Sequence, residues 1–147
     1  MSDIAKSVAE IIADVRARGD QALLDYTERW DGVRLDIGGL RVGADVLDAE
    51  VEESDFSRAF ARAADRIGKF HSRVKPRTSL YEDDEGVLMG MRWTPIRSVG
   101  LYVPGGKAAY PSTLAMTALP ARIAGVERIV VVSPPGSDGE ISPQVLM

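Results

Sequence analysis

The sequence predicts an α/β chain in which N-terminal helices and a hairpin lead into a βαβ unit of a parallel sheet. Three observations carry that prediction. Apolar residues recur at helical spacing through the first half of the chain. Residues 87–94 alternate between apolar and mostly small or polar side chains at period two, the mark of a strand. From residue 97, "RSVGLYVPGGKAAYPSTLAM" reads as strand, glycine turn and helix, and "RIVVVSPPG" then supplies a second strand. Strand, helix and strand over about 35 residues make a βαβ unit, expected to be right-handed with parallel strands.

Taken in order, Ile4, Val8, Ile11, Ile12 and Val15 mark a first helix, broken at Gly19-Asp20. Leu23, Tyr26, Thr27 and Trp30 mark a second, closed by Asp31-Gly32. A short apolar stretch, Leu40 to Val42, precedes an expected helix from Asp45 to Glu52. Phe56, Phe60, Ala63, Ile67, Phe70 and Val74 then alternate spacings of four and three, giving one long apolar seam. Such a seam serves core packing or docking against a partner helix. His71 beside it reads as a satisfied or solvent-facing histidine rather than a catalyst.

Pro76 ends that helix, and two extended segments follow, Ser79 to Tyr81 and Val87 to Thr94. In the second, Val87, Met89, Met91 and Trp93 share one face. The acidic run Glu82, Asp83, Asp84 lacks the ligand spacing of a calcium loop and reads as a solvated hairpin tip. In the next strand Val99, Leu101 and Val103 face one side, with Gly100 and Tyr102 on the other. Ser112 is placed to cap the following helix, with Thr113 in its first turn. Ala115, Ala118, Ala121 and Ala124 recur along that helix every third residue, Pro120 should kink it, and Gly125 stops it. The apolar run of the second strand shows no alternation, as expected when both faces are buried.

Composition restricts the chemistry. The chain has 147 residues, 45% apolar and 27% charged, which is the balance of a globular rather than a disordered protein. Its net charge is −4 and no basic patch interleaves with aromatics, so nucleic acid is not an expected partner. No apolar run is long enough to span a bilayer and the start lacks a secretory layout, so a cytoplasmic location without membrane association is expected. There is no cysteine and only one histidine. No thiolate nucleophile, multi-histidine zinc site or complete histidine triad can be assembled from these residues alone.

Ligands of parallel sheets bind off the carboxyl ends of the strands, where Tyr102 to Gly106 would lie. A phosphate-binding P-loop requires G-x-x-x-x-G-K-[ST]. Here Gly106 intervenes before Lys107, and Ala108 stands where the hydroxyl should be. A dinucleotide fingerprint G-x-G-x-x-G is also missing. A tight turn that uses glycine only for its backbone freedom stays open on local grounds.

"VGLYVPGGKAAYPSTLAM" followed by "ALPARIAGVERIVVVSPP" closely resembles the histidinol dehydrogenase family, and "IIADVRARGDQALLDYTERWDGV" and "RAADRIGKFHSRV" resemble its N-terminal helices. The resemblance covers nearly the whole chain. It implies an incomplete Rossmann-like fold, with an N-terminal helical region and hairpin over residues 1–97 and the start of a nucleotide-binding region over 98–147. It further implies NAD-dependent, zinc-requiring oxidation of L-histidinol to L-histidine through an aldehyde, in a full-length homodimer. Tyr102 matches the family's cofactor-contacting tyrosine. Gly105 and Gly106 would let backbone approach the cofactor, and Lys107 reads as a solvated lysine or a phosphate partner; none of the three carries a firm role. The family's zinc ligands and its Glu-His acid–base pair match nothing here, so no catalytic or metal residue is assigned. Ser142 to Met147 reads as a helix cap with barely one turn after it, which points to a partial chain, inactive by itself. The alternatives are a related dehydrogenase of another small alcohol, or a non-catalytic nucleotide-binding or dimerisation module.

Overall fold

Apolar spacing and the break at Gly19 give the first two helices where the sequence predicts them. The structure, a computed structural model, describes residues 3–47, 52–105 and 109–146. Helix α1 (Asp3–Arg18) and helix α2 (Asp20–Asp31) pack as a pair. Gly32 closes α2 as its C-cap. The inward side of α2 centres on Ala22, which is fully buried, rather than on Leu23 and Trp30, both exposed.

A polar clasp ties the pair together. The Arg18 guanidinium donates from Nε and Nη2 to the two Asp14 oxygens, each at 2.7 Å, and from Nη1 to Asp25 at 2.6 Å. Gln21 adds a bond to the other Asp25 oxygen at 3.0 Å. The hydrogen bond from Arg18 holds the Asp14 carboxyl down at about 2, with further help from the Tyr26 hydroxyl. Asp25 is lowered by the same guanidinium, and Tyr26 is raised by its bond to Asp14. A carboxylate depressed on folding stabilises fully above its unfolded value, here 3.8, and loses that contribution as pH falls through about 2. The α1–α2 pair is therefore expected to loosen between those two values. The Asp14 side-chain carbon resonance should titrate near the lower one, and near the upper one in Arg18→Met; identical midpoints would remove the clasp as the cause.

Two compact units make up the chain. One takes in Met1–Glu50, Pro104–Ala109 and Ser133–Met147, and its buried apolar residues are Ala22, Val33 and Val145. It holds α1 and α2, a single 3₁₀ turn (Gly38–Leu40), helix α3 (Ala44–Leu47) and helix α6 (Pro143–Leu146). The short apolar stretch Leu40 to Val42 begins at the end of that 3₁₀ turn. Of the helix expected from Asp45 to Glu52, Ala44–Leu47 is present as α3, Glu52 is not helical, and residues 48–51 lie outside those described.

The other unit takes in Val51–Val103 and Tyr110–Val132, with Leu101, Val103 and Ala115 buried. Its long helix α4 (Asp55–Val74) starts on a reciprocal cap. Ser54 Oγ accepts from the Ser57 N–H at 3.1 Å, and Ser57 Oγ accepts from the Ser54 N–H at 2.9 Å. The half-buried row of α4 is Ser57, Phe60, Ala64, Ile67, Gly68 and His71. The predicted seam is consequently split, with Phe60 and Ile67 half-buried and Phe56, Phe70 and Val74 exposed. His71 makes an edge-on contact with the Phe70 ring at 5.2 Å and a main-chain bond to the Lys75 N–H, an ordinary helical placement.

Strands β1 (Ser79–Glu82) and β2 (Leu88–Met91) form an antiparallel hairpin, with Tyr81 opposite Met89 and Leu80 opposite Gly90. Asp83 Oδ1 accepts from the Glu85 and Val87 N–H groups at 3.0 and 2.8 Å, so the acidic run builds the tip. The second strand stops three residues before the predicted end. The Thr78 hydroxyl accepts from the Trp93 N–H at 3.0 Å and donates to the Trp93 carbonyl at 3.4 Å, occupying groups that a longer ladder would use. The Met89, Met91 and Trp93 face is exposed.

Strand β3 (Ser98–Tyr102), helix α5 (Pro111–Ala124) and strand β4 (Arg128–Val132) form the βαβ unit, and β3 and β4 are parallel, pairing Ser98 with Arg128 through Tyr102 with Val132. Two expectations are corrected. Helix α5 begins two residues earlier than predicted, with Tyr110 as N-cap and no side-chain cap bond, because Pro111 is pre-set for the first helical position; Ser112 lies inside the first turn. Strand β4 is not buried on both faces: Val130, Val131 and Val132 are exposed, since a two-stranded sheet covers little of its own surface. Gly125 ends α5 as expected, its N–H bonding to the Ala121 and Arg122 carbonyls. Helices α4 and α5 pack together, and Lys75 Nζ donates to the Ile123 carbonyl at 2.7 Å, satisfying an orphan acceptor of the last α5 turn.

Candidate functional site

The alternation of β3 decides what its tip presents. Leu101 and Val103 turn inward and are buried, which sends Tyr102 outward, 63% exposed, at the carboxyl end of the strand. The Val103 N–H still bonds the Val132 carbonyl at 2.9 Å, so the backbone on both sides of that tyrosine is fixed. The ring is therefore free to meet a ligand while its Cα is not free to move. This is the expected division between the two faces of the strand.

In the other unit, Pro104 and Gly105 lie against the segment that follows β4. A Cβ built on Gly105 would stand 2.9 Å from the Pro134 carbonyl oxygen, 3.0 Å from Ser133 Oγ and 3.2 Å from Pro134 Cγ. Two of these atoms cannot swing away, one being backbone and one a ring carbon. Glycine is needed here for close approach of two backbones. Gly106 and Lys107, the other residues singled out in this turn, lie outside the described residues.

Gly105, Ser133 and Pro134 form part of the wall of a cavity of about 410 Å³. The rest of the wall is built by the loop after Pro134 and by α6, including Asp138, Glu140, Ser142 and the buried Val145. The loop folds back on itself. The Gly136 N–H donates to the Glu140 carbonyl at 2.8 Å, the Gly139 N–H to the Gly136 carbonyl at 3.0 Å, and the Glu140 N–H to Asp138 Oδ1 at 3.0 Å. Val33 Cγ1 would stand 3.4 Å from a Cβ on Gly139, so the loop also rests on the buried valine. Sequence reasoning stopped at the glycine turn and missed this cavity. The Pro-Pro-Gly and Asp-Gly pairs at 134–136 and 138–139 were the available turn signals.

The donor chemistry of the chain bears on a metal. Among the described residues no group of three or more histidine, cysteine, aspartate or glutamate side chains could hold one. Nor is any helix among them long and apolar enough to cross a membrane.

Comparison with known proteins decides the family. The family model described as histidinol dehydrogenase matches residues 1–147. The chain belongs to the histidinol dehydrogenase family. Among relatives, the histidinol dehydrogenase of Gluconobacter oxydans (strain 621H) is 48% identical over 145 residues, 97% of this chain and 34% of the relative. That of Agrobacterium fabrum is 49% identical over 146 residues, 98% of this chain and 34% of the relative. The crystal structure of histidinol dehydrogenase from Elizabethkingia anophelis superposes with a TM-score of 0.88 at 32% identity, covering 99% of this chain and 34% of that one. The chain spans about a third of the length of the curated relatives it matches. Its helices and short parallel sheet are those of an incomplete Rossmann-like α/β fold within the histidinol dehydrogenase family.

Proposed function

We propose that this chain is part of an NAD-dependent enzyme that oxidises L-histidinol to L-histidine through histidinal, and that Tyr102 contacts the dinucleotide. The match of the histidinol dehydrogenase family along residues 1–147 carries this reading. NAD, when bound, supplies a hydride acceptor for each of the two oxidations. The residues of this chain do the seating. The exposed Tyr102 ring offers a flat apolar surface to a cofactor ring, and its hydroxyl offers a donor and an acceptor at the edge. Gly105 serves the wall of the cavity after β4, where its missing Cβ lets the Pro134 backbone pack against it. Residues 98–147 are accordingly taken as the start of the nucleotide-binding region, and the family implies a cytoplasmic homodimer for the full-length protein.

Zinc does not fit the residues of this chain, which has one histidine and no cysteine and lacks a ligand cluster among its described residues. Any zinc of the full-length enzyme takes its ligands from residues not in this sequence.

Titration calorimetry with NAD tests the seat. Tyr102→Ala is expected to weaken binding about 10-fold, as for loss of an aromatic contact. Tyr102→Phe separates the ring from the hydroxyl, by retaining affinity if stacking dominates. An unchanged dissociation constant in Tyr102→Ala takes the tyrosine out of the cofactor site.

A further inference from the structure

We infer that the loop after β4 carries a self-modifying site: the Asp138–Gly139 linkage rearranges through a succinimide to an isoaspartyl linkage, far faster than the chain's other Asp-Gly pair, Asp31–Gly32. The chemistry needs water alone. The Gly139 main-chain nitrogen attacks Cγ of the Asp138 carboxyl, the ring closes, and the carboxyl hydroxyl leaves with the amide proton as water. A second water molecule reopens the ring. Addition at Cγ restores aspartate. Addition at the main-chain carbonyl leaves the chain running through Cβ and Cγ, with the carboxylate on Cα. No electrons are transferred and the mass is unchanged.

Glycine after an aspartate leaves the attacking nitrogen with no neighbouring Cβ to shield it. Exposure does not separate the two pairs, since both aspartates are exposed. Backbone geometry does. Asp31 is the last residue of α2, and a helical Cα–Cβ bond tilts toward the helix N-terminus, away from the following nitrogen. Its carboxyl must leave the helical arrangement before Gly32 can reach it. Asp138 lies in a turn, followed by Gly139 at φ +85°. Its Oδ1 accepts from the Glu140 N–H at 3.0 Å, so the carboxyl is folded forward along the chain, past the Gly139 nitrogen. The same bond draws electron density from Cγ, the carbon under attack. One main-chain bond restrains the nitrogen, from the Gly139 N–H to the Gly136 carbonyl at 3.0 Å, and a turn bond in an exposed loop opens by local fluctuation. Rearrangement lengthens the main chain by one carbon inside the turn that the Gly136–Glu140 bond of 2.8 Å closes, so that bond is lost and the cavity wall opens.

The test ages the purified protein in heavy-oxygen water at neutral pH and body temperature, digests it in ordinary water, and reads each Asp-Gly peptide by mass spectrometry. An isoaspartyl methyltransferase then marks the rearranged linkages. The Asp138 peptide should gain label on the order of 10-fold faster than the Asp31 peptide, the margin between a loop that opens locally and the end of a packed helix. In urea the two peptides should react alike. Asp138→Glu should abolish the loop signal, because the ring would have to be larger. Asp138→Asn should hasten it, because ammonia is lost from an amide more readily than water from a carboxylate. Circular dichroism establishes that both exposed substitutions leave the fold intact. An unlabelled Asp138 peptide overturns the inference, as does equal labelling of the two peptides in the folded protein. A difference that persists undiminished in urea also overturns it, since the fold would then have no part in the choice of site.

Discussion

Alanine at position 90 is expected to destabilise the unit that carries the hairpin by about 3 kcal/mol, the sum of backbone strain and a steric clash. Gly90 has φ +150°, a conformation that side chains other than hydrogen rarely adopt. An added Cβ would stand 2.0 Å from the Ser79 carbonyl oxygen and 2.8 Å from Leu80 Cα. Both are main-chain atoms of the paired strand, so no rotamer change relieves them. The strand must move, and Leu80 opposite Gly90 must give up its register. Urea unfolding followed through Trp93 fluorescence in a Trp30→Phe background measures the loss. An unchanged midpoint would show that β1 shifts away without cost, and that the close approach at Gly90 is not needed.

The second large effect is expected from Gly105→Ala. The methyl group would lie 2.9 Å from the Pro134 carbonyl oxygen and 3.0 Å from Ser133 Oγ. Opening those two backbones should weaken NAD binding about 30-fold, equivalent to roughly 2 kcal/mol of misfit in the cavity wall. Gly100→Ala in β3 is the matched control, because a Cβ there meets nothing within 4 Å. Loss of NAD affinity in both variants would point to general damage to the strand. Loss in neither would detach the close backbone contact at Gly105 from the cofactor.

What could be read from the sequence was mainly the position of each element. The breaks at Gly19 and Gly32, the stop at Gly125 and the alternation through Val99, Leu101 and Val103 all act over a few residues, and the structure reproduces them. Burial was less legible because it depends on what packs against an element. The apolar run of β4 predicts two covered faces, yet its three valines are exposed in a two-stranded sheet. The α4 seam predicts one buried stripe, whereas Phe70 is exposed and Ser57 and Gly68 are half-buried. Long-range polar bonds were also hidden. Nothing in the local pattern signals that Thr78 takes over the Trp93 main chain fifteen residues away, and this ends β2 early.

The candidate site divides in the same way. Tyr102 is exposed as its place in the alternation requires, but the tightness at Gly105 is a relation with Ser133 and Pro134, nearly thirty residues downstream. The loop bearing Asp138 and Glu140 carries ordinary turn residues, and only its own hydrogen bonds reveal that it folds back to form a wall. The Ser54–Ser57 cap went unread, although Ser-x-x-Ser ahead of a helical run is a weaker form of the usual capping box.

The two sheets also set a timetable for folding. Residues paired across the β1–β2 hairpin are twelve positions apart or fewer, so that ladder can zip within microseconds. Ser98 meets Arg128, thirty positions away, only after the chain between them has been gathered in, and a parallel partner cannot be reached through a tight turn. Loop-closure entropy must be met first, which makes helix formation in α5 the step that shortens the search. The tyrosine-bearing strand thus acquires its neighbour late, after the local elements on both sides of it have formed.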